Sequence, residues 1–243
     1  MFIVIKRKIL LFLMILLFLI IFIILYNIIF KHFLLIKNIA VSSTPVSNHV
    51  VILDAGHGMP DGGAVGTNGS IESELNLEIV LKLQKLLEAS NCIVILTRSD
   101  ENGIYDTDAN TIREKKVSDM KNRVKIANNS NAEIFISIHL NKLEQENVSG
   151  WQTFYKNDDK ISKELAYKIQ KDLDYFMKKN NKKEVKSISN IYLTKNVEIP
   201  LVLIECGFLS NNLENELLQN DTYQDKLVWS IYTGIMDFFA NKW

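Results

Sequence analysis

An α/β fold is predicted, a single domain with a mostly parallel twisted sheet flanked by helices and preceded by an N-terminal transmembrane helix. Three observations predict it. Residues 9–30 form a run of 22 without a charge, short β-rich apolar runs then alternate with helical patterns, and three of those runs end in a group able to bind a metal or move a proton. The three places are Asp54-Ala55-Gly56-His57-Gly58, Ser137-Ile138-His139 and Ile204-Glu205-Cys206.

At 1.5 Å rise per residue, a helix over residues 9–30 covers roughly the 30 Å of a bilayer core. Lys31, His32, Phe33 and Leu34 follow it, not the small residues of a cleavage site, so an uncleaved anchor is expected. Lys6, Arg7 and Lys8 outnumber Lys31 and Lys37, which favours a cytoplasmic N-terminus over 1–8 and an extracytoplasmic remainder. Residues 31–48, with Ser42, Ser43, Pro45 and Ser47 in their later part, read as a linker, and the folded domain is expected over 49–243. Strands are expected near 50–54, 92–97, 134–138, 151–155 and 201–205. Leu75, Ile79, Leu83, Leu86 and Leu87 share one helical face, and Leu165, Ile169 and Leu173 another. A last helix over 222–240 places Leu227, Ile231, Ile235 and Phe238 at helical spacing, which reads as core packing.

Every acidic residue lies at or beyond Asp54, so the expected folded domain over 49–243 sets 28 acids against 23 basic residues, a formal charge of −5. Such a surface argues against nucleic acid as a partner, because that binding needs a basic stripe. Cys92 and Cys206 each stand beside an expected strand and read as free buried thiols rather than a disulfide. No internal repeat or low-complexity tract is present.

Ligands of open sheets gather at the carboxyl ends of strands, where His57, His139 and Glu205 are expected. Glycines on both sides of His57, and Gly62, Gly63, Gly66 and Gly69 after it, let the loop wrap closely around a bound group. A phosphate loop is the weaker reading, since no Lys-Ser or Lys-Thr closes it and an imidazole stands where bare amides are needed. A histidine taken alone is more often a satisfied polar residue than a ligand. Glu72 opens the first amphipathic helix; the helix dipole alone could explain it, but it also lies across the glycine loop from His57. Glu74 and Glu78 lie further into the helix and are expected in solvent. His139 ends a run too apolar to leave an imidazole without a metal or an acid as partner. Glu205 at the edge of a buried strand should have a raised pKa, suiting a general base, although an ion pair with a Lys or Arg would serve as well. Alternation points Cys206 to the opposite face, away from any ligand set. Two imidazoles and one carboxylate are a known set for catalytic zinc with a position left for water, and Glu205 remains to carry the proton.

These residues resemble the zinc-dependent N-acetylmuramoyl-L-alanine amidases of the type-3 amidase family. The matching motifs are Leu53-Asp54-Ala55-Gly56-His57-Gly58, Asp61-Gly62-Gly63-Ala64, Glu72, Asn76-Leu77, Thr97-Arg98, Arg123 with Ala127-Asn128, Ser137-Ile138-His139 with Asn141, Gly150 with Tyr155, and Pro200 through Glu205 to Gly207-Phe208-Leu209-Ser210-Asn211. Together they cover nearly all of the chain after the anchor. The resemblance implies one Zn2+ per chain held by His57, Glu72 and His139, with Glu205 as catalytic acid/base. It implies peptidoglycan as substrate and cleavage of the amide between the lactyl group of muramic acid and the L-alanine of the stem peptide. The same ligands would accept other divalent metals in vitro.

Met59, Leu140, Lys142 and Met120 depart from the family's usual residues, and these departures bear on subsite shape rather than on zinc chemistry. The anchor, the short chain and the lack of wall-binding repeats resemble the sporulation branch, which prepares cortex peptidoglycan for muramic-δ-lactam formation; four Arg against 24 Lys suit the AT-rich genome of a spore-former. A membrane-anchored protein with its catalytic domain on the cell-wall side or in the forespore intermembrane space follows. A protein activator, which some family members await, is a further candidate partner. The rivals are a zinc peptidase cutting within the stem peptide, separable only by its products, and a non-catalytic membrane-tethered wall-binding module, which would need an incomplete site.

Overall fold

The computed structural model describes the backbone of residues 2–41, 44–178, 181 and 183–241, with side chains described for 12–31, 44–178, 181 and 183–241. The chain divides into two compact units at Ser43/Thr44.

The first unit is one helix, α1 (Phe2–Val41). Its stretch Phe12–Lys31 is long and apolar enough to cross a membrane. Asn27 donates its side-chain amide to Ile23 O at 2.8 Å, so this donor within the stretch is satisfied by the helix itself. The side chains of Lys6, Arg7 and Lys8, on which the expected orientation rests, lie outside the described residues.

The linker expected over 31–48 takes a different form. The backbone is helical to Val41, residues 42 and 43 lie outside the described residues, and Thr44 already belongs to the second unit. Thr44 Oγ1 donates to Ser90 O at 2.6 Å, Asn48 N to Asn91 O at 2.9 Å, and Val46 is fully buried. The serines and proline suggested a solvated segment, but the one apolar side chain between them inserts into the core and fixes the rest.

The second unit runs β1 (Val50–Ala55), α2 (Glu72–Ala89), β2 (Ile93–Leu96), α3 (Ile112–Asn128), β3 (Ile134–Asn141), β4 (Gln152–Lys156), α4 (Lys160–Met177), β5 (Lys186–Ile188), α5 (Tyr192–Asn196), β6 (Leu201–Phe208), α6 (Asn212–Leu218) and α7 (Asp221–Ala240). The sheet order is β2-β1-β3-β6-β4-β5. The first four strands are mutually parallel, β4 runs antiparallel to β6, and β5 is parallel to β4. This is the mostly parallel sheet that the sequence predicts.

Strand alternation divides the interior in two. Val51, Leu53, Ile136, Ile138, Val202 and Ile204 face α2, α4 and α7 in the larger core. Ile52, Phe135 and Leu201 face the other way, into a smaller core with Leu193 and Val197. Gly234 allows the close packing of α7 on α4, since a Cβ there would lie 2.6 Å from Ile169 Cα. The smaller core covers only part of its face of the sheet, and the remainder is open for a cleft.

Candidate active site

The same alternation aims the reactive groups. In β3, Ile134, Ile136, Ile138 and Leu140 enter the larger core, which sends Ser137 and His139 to the opposite face. In β6, Val202, Ile204 and Cys206 do the same and send Leu203 and Glu205 across. Register then sets His139 directly beside Glu205. Both residues sit inside their strands rather than at the strand ends expected from sequence. The pairing resumes beyond an irregularity between His139 and Asn141, with Asn141 opposite Phe208 and Leu209 N bonded to Asn141 O at 2.8 Å.

His57 lies two residues past β1 with φ 63°, a left-handed backbone that costs a non-glycine residue about 1–2 kcal/mol. Three buried donors hold it there. Arg123 donates to the carbonyls of Ala55 and His57, Arg98 to those of Ala55 and Gly56, and Asn76 to that of Gly56. Arg123 is balanced by Asp54 and Asp119, its ion-pair partners. Ser137 and Thr97 donate to Asp54 at 2.6 and 2.7 Å. Burial disfavours the Asp54 carboxylate, but the Arg123 charge and the two hydroxyls outweigh it and lower its pKa.

Glu72 heads α2 with only 4% of its surface exposed. Ala64 N donates to its Oε2 at 2.8 Å and Leu140 N to its Oε1 at 3.1 Å. His139 Nδ1 lies 3.0 Å from Glu72 Oε1 and His57 Nε2 3.4 Å from it. Burial acts against this carboxylate, yet the two imidazoles prevail and hold its pKa well below the usual carboxylate range. The loop must pass very close to make this cluster. Gly63 has φ 71°, and a Cβ on it would lie 2.5 Å from Glu72 Oε2 and 2.8 Å from His57 Cδ2.

One candidate ligand atom from each of His57, Glu72 and His139 lies within 4.8 Å of the others. Two neutral nitrogen donors and a carboxylate converging so closely form a donor set suited to a divalent transition metal. Asp61 adds the outer partner such histidines usually have: its Oδ2 is 3.2 Å from His57 Nδ1 and its Oδ1 2.8 Å from Lys116 Nζ. Burial opposes the charged form of His57, but Glu72 and then Asp61 raise its pKa.

Glu205 faces the same cleft, whose volume is about 280 Å³. Its Oε2 is buried and has no hydrogen-bond partner among the described residues. Burial, helped by the negative charge of Glu72 and opposed by His139 and His57, pushes its pKa up to about 7. Among the described residues the alternative ion pair with Lys or Arg is not formed. α3 supplies one wall through Ile112, Lys115 and Met120, and Ile191 and Leu193 line it as well. Glu74 and Glu78 are exposed on α2, as expected, and Cys92 and Cys206 are buried and unpaired with each other.

The residues whose roles sequence reasoning missed are Asp61, Asn76, Arg98 and Arg123. All stand in motifs already noted, but their work is to hold backbone carbonyls and an imidazole from a distance. A buried arginine with two acidic partners has no local sequence signature.

Known proteins share this sequence pattern and fold. A family model described as N-acetylmuramoyl-L-alanine amidase matches residues 51–237. The germination-specific N-acetylmuramoyl-L-alanine amidase of Bacillus subtilis is 38% identical over 204 residues, spanning 82% of this chain and 84% of that protein. The CwlD amidase of Clostridioides difficile, solved in complex with the GerS lipoprotein, is 48% identical at a TM-score of 0.77, covering 79% of this chain and 99% of that one. An N-acetylmuramoyl-L-alanine amidase from Clostridium difficile 630 is 30% identical at a TM-score of 0.70, covering 81% of this chain and all of that one, 100%.

Proposed function

Because the chain belongs to the N-acetylmuramoyl-L-alanine amidase family, we propose that its cleft cleaves the amide joining N-acetylmuramic acid to L-alanine in peptidoglycan, with zinc as the metal. His57, Glu72 and His139 hold the ion and Glu205 is the acid/base. The observation that carries this reading is one cleft lined by His57 and His139, which converge with Glu72 as a donor set, and by Glu205, whose buried oxygen has no partner among the described residues. When bound, the ion supplies Lewis-acid polarisation of the scissile carbonyl and a water of lowered pKa.

The chain's own groups do the rest. Glu205 takes a proton from the attacking water and returns it to the departing alanine nitrogen, a double duty that suits a carboxyl whose pKa burial raises above the ordinary carboxylate value. Asp61 fixes the ring of His57, and Arg98 and Arg123 fix the backbone beneath it. The apolar walls from α3 and α5 limit water around the reacting groups.

Activity should fall in acid, because only ionised Glu205 can accept the proton. The nearby cation lowers the pKa of Glu205 from its metal-free value of about 7, so the acid limb of kcat/KM is expected at or below that pH. A rate profile over pH checks this, and activity that stays flat down to about pH 4, near the pKa of an ordinary carboxyl, would contradict it.

The germination-specific and CwlD relatives support a place in spore-cortex maturation, ahead of muramic-δ-lactam formation. The lipoprotein held by the CwlD relative supports a protein partner for this chain also. The apolar stretch of α1 supports an anchor over residues 9–30, and the basic residues before it support 1–8 as cytoplasmic, with the amidase domain over 49–243 on the outer side. The reaction is tested by incubating the full chain, in detergent, with purified peptidoglycan and zinc, followed by mass spectrometry. Free stem peptides beginning at L-alanine are expected, whereas cuts within the stem, leaving alanine on muramic acid, would replace the amidase with a peptidase.

A further inference from the structure

The charges lining the cleft are nearly all spoken for. Asp54 and Asp119 pair with Arg123, and Asp61 pairs with Lys116 at 2.8 Å and lies against His57. Lys115 is the exception among the basic groups: no ion pair to it is found among the described residues. It is half-buried in the wall of the cleft, and its Nζ sits 4.7 Å from the centroid of the Tyr105 ring, another wall residue. The aromatic face holds the ammonium against the lining instead of leaving it free to extend into solvent. An ammonium kept there without a counter-charge, in a cleft shared with the reactive groups, is suited to an anion arriving with the substrate.

We propose that Lys115 is a specificity-determining residue that binds a free carboxylate of the stem peptide next to the L-alanine whose amide is cut. The proposal rests on the amidase reading above. In a stem peptide the residue after L-alanine is a glutamate joined through its side-chain carboxyl, so its α-carboxylate stands free unless it is amidated. Amidation removes the charge while keeping the shape. Lys116, the next residue on α3, is already engaged by Asp61 and is not available for this task. Solvent at the cleft mouth screens the pair, so the effect is expected in KM at about fivefold rather than at the level of a buried ion pair.

The test compares two muropeptides, N-acetylmuramoyl-L-alanyl-D-isoglutamate and its isoglutamine counterpart, on the full-length zinc-loaded enzyme. The wild type is expected to favour the acid through KM, with similar kcat on both. Lys115→Met should bring the two KM values together, and Lys115→Arg should restore the preference. Equal KM values in the wild type, or a preference that survives Lys115→Met, would overturn the proposal. A general loss on both substrates in the methionine variant, with their ratio kept, would make Lys115 a structural part of α3 and overturn it too. Failure of the wild type to cut either muropeptide would instead overturn the amidase reading, and this assignment with it.

Discussion

Replacing Glu205 with glutamine is expected to lower kcat by about 10³-fold or more, within the range by which a positioned acid/base accelerates proton transfer. Zinc should stay bound. Glutamine keeps the shape of the side chain, and the buried Oε2 gives no hydrogen bond that the fold depends on. The fold should therefore survive, because a group that burial pushes to a pKa of about 7 is already costly to keep charged. Turnover assayed beside zinc content and thermal melting separates chemistry from folding. A variant within tenfold of wild type would remove Glu205 from its role and send the search to another proton carrier.

Arg123→Met is expected to be the most destabilising single change in the second unit, at about 3–5 kcal/mol, because it leaves a buried acid without its partner. Asp54 is fully buried and would face the interior with only the Ser137 and Thr97 hydroxyls. The carbonyl of His57 would lose its donor at the same time, and that of Ala55 would keep only Arg98, so metal affinity should fall with stability. For a domain of this size the melting temperature should drop on the order of 10 °C. The pH dependence gives the prediction a sign. The pKa of Asp54 is depressed in the folded protein, so its contribution is present above the unfolded value near 3.9 and is lost as pH falls through the folded value. The gap between wild type and variant should accordingly narrow in acid below about pH 4. A variant that melts like the wild type at neutral pH would show that this network is not what fixes the His57 turn.

The candidate site was largely legible in the sequence, for a physical reason. His139 and Glu205 interrupt runs that are otherwise apolar, and period-two alternation is enough to place both on the face opposite the larger core. Glu72 was legible through its distance from His57 across a glycine loop. The depth of His139 and Glu205 within their strands was not, because a strand can continue past a polar residue when its neighbour continues with it. α3 also escaped notice. Its buried positions are Asp119, Arg123 and Ala127, so its apolar face, with Met120 and Val124, is short and interrupted by charge, and the ion pairs and carbonyl contacts that help to pack it leave no period in the sequence. β5 is three residues long at the sheet edge with Lys186 and Ser187 exposed, too short and polar to register as a strand. The antiparallel direction of β4 follows from the path of its connections rather than from its side chains.

Zinc binding by calorimetry on the full-length wild type, Glu205→Gln and His139→Ala proteins decides whether His57, Glu72 and His139 form the metal centre. One ion per chain is expected in the first two, with binding in the third lost or weakened by more than about tenfold. Equal binding by His139→Ala, or none by a folded and monodisperse wild type, would contradict the assignment of His57, Glu72 and His139 as the metal centre.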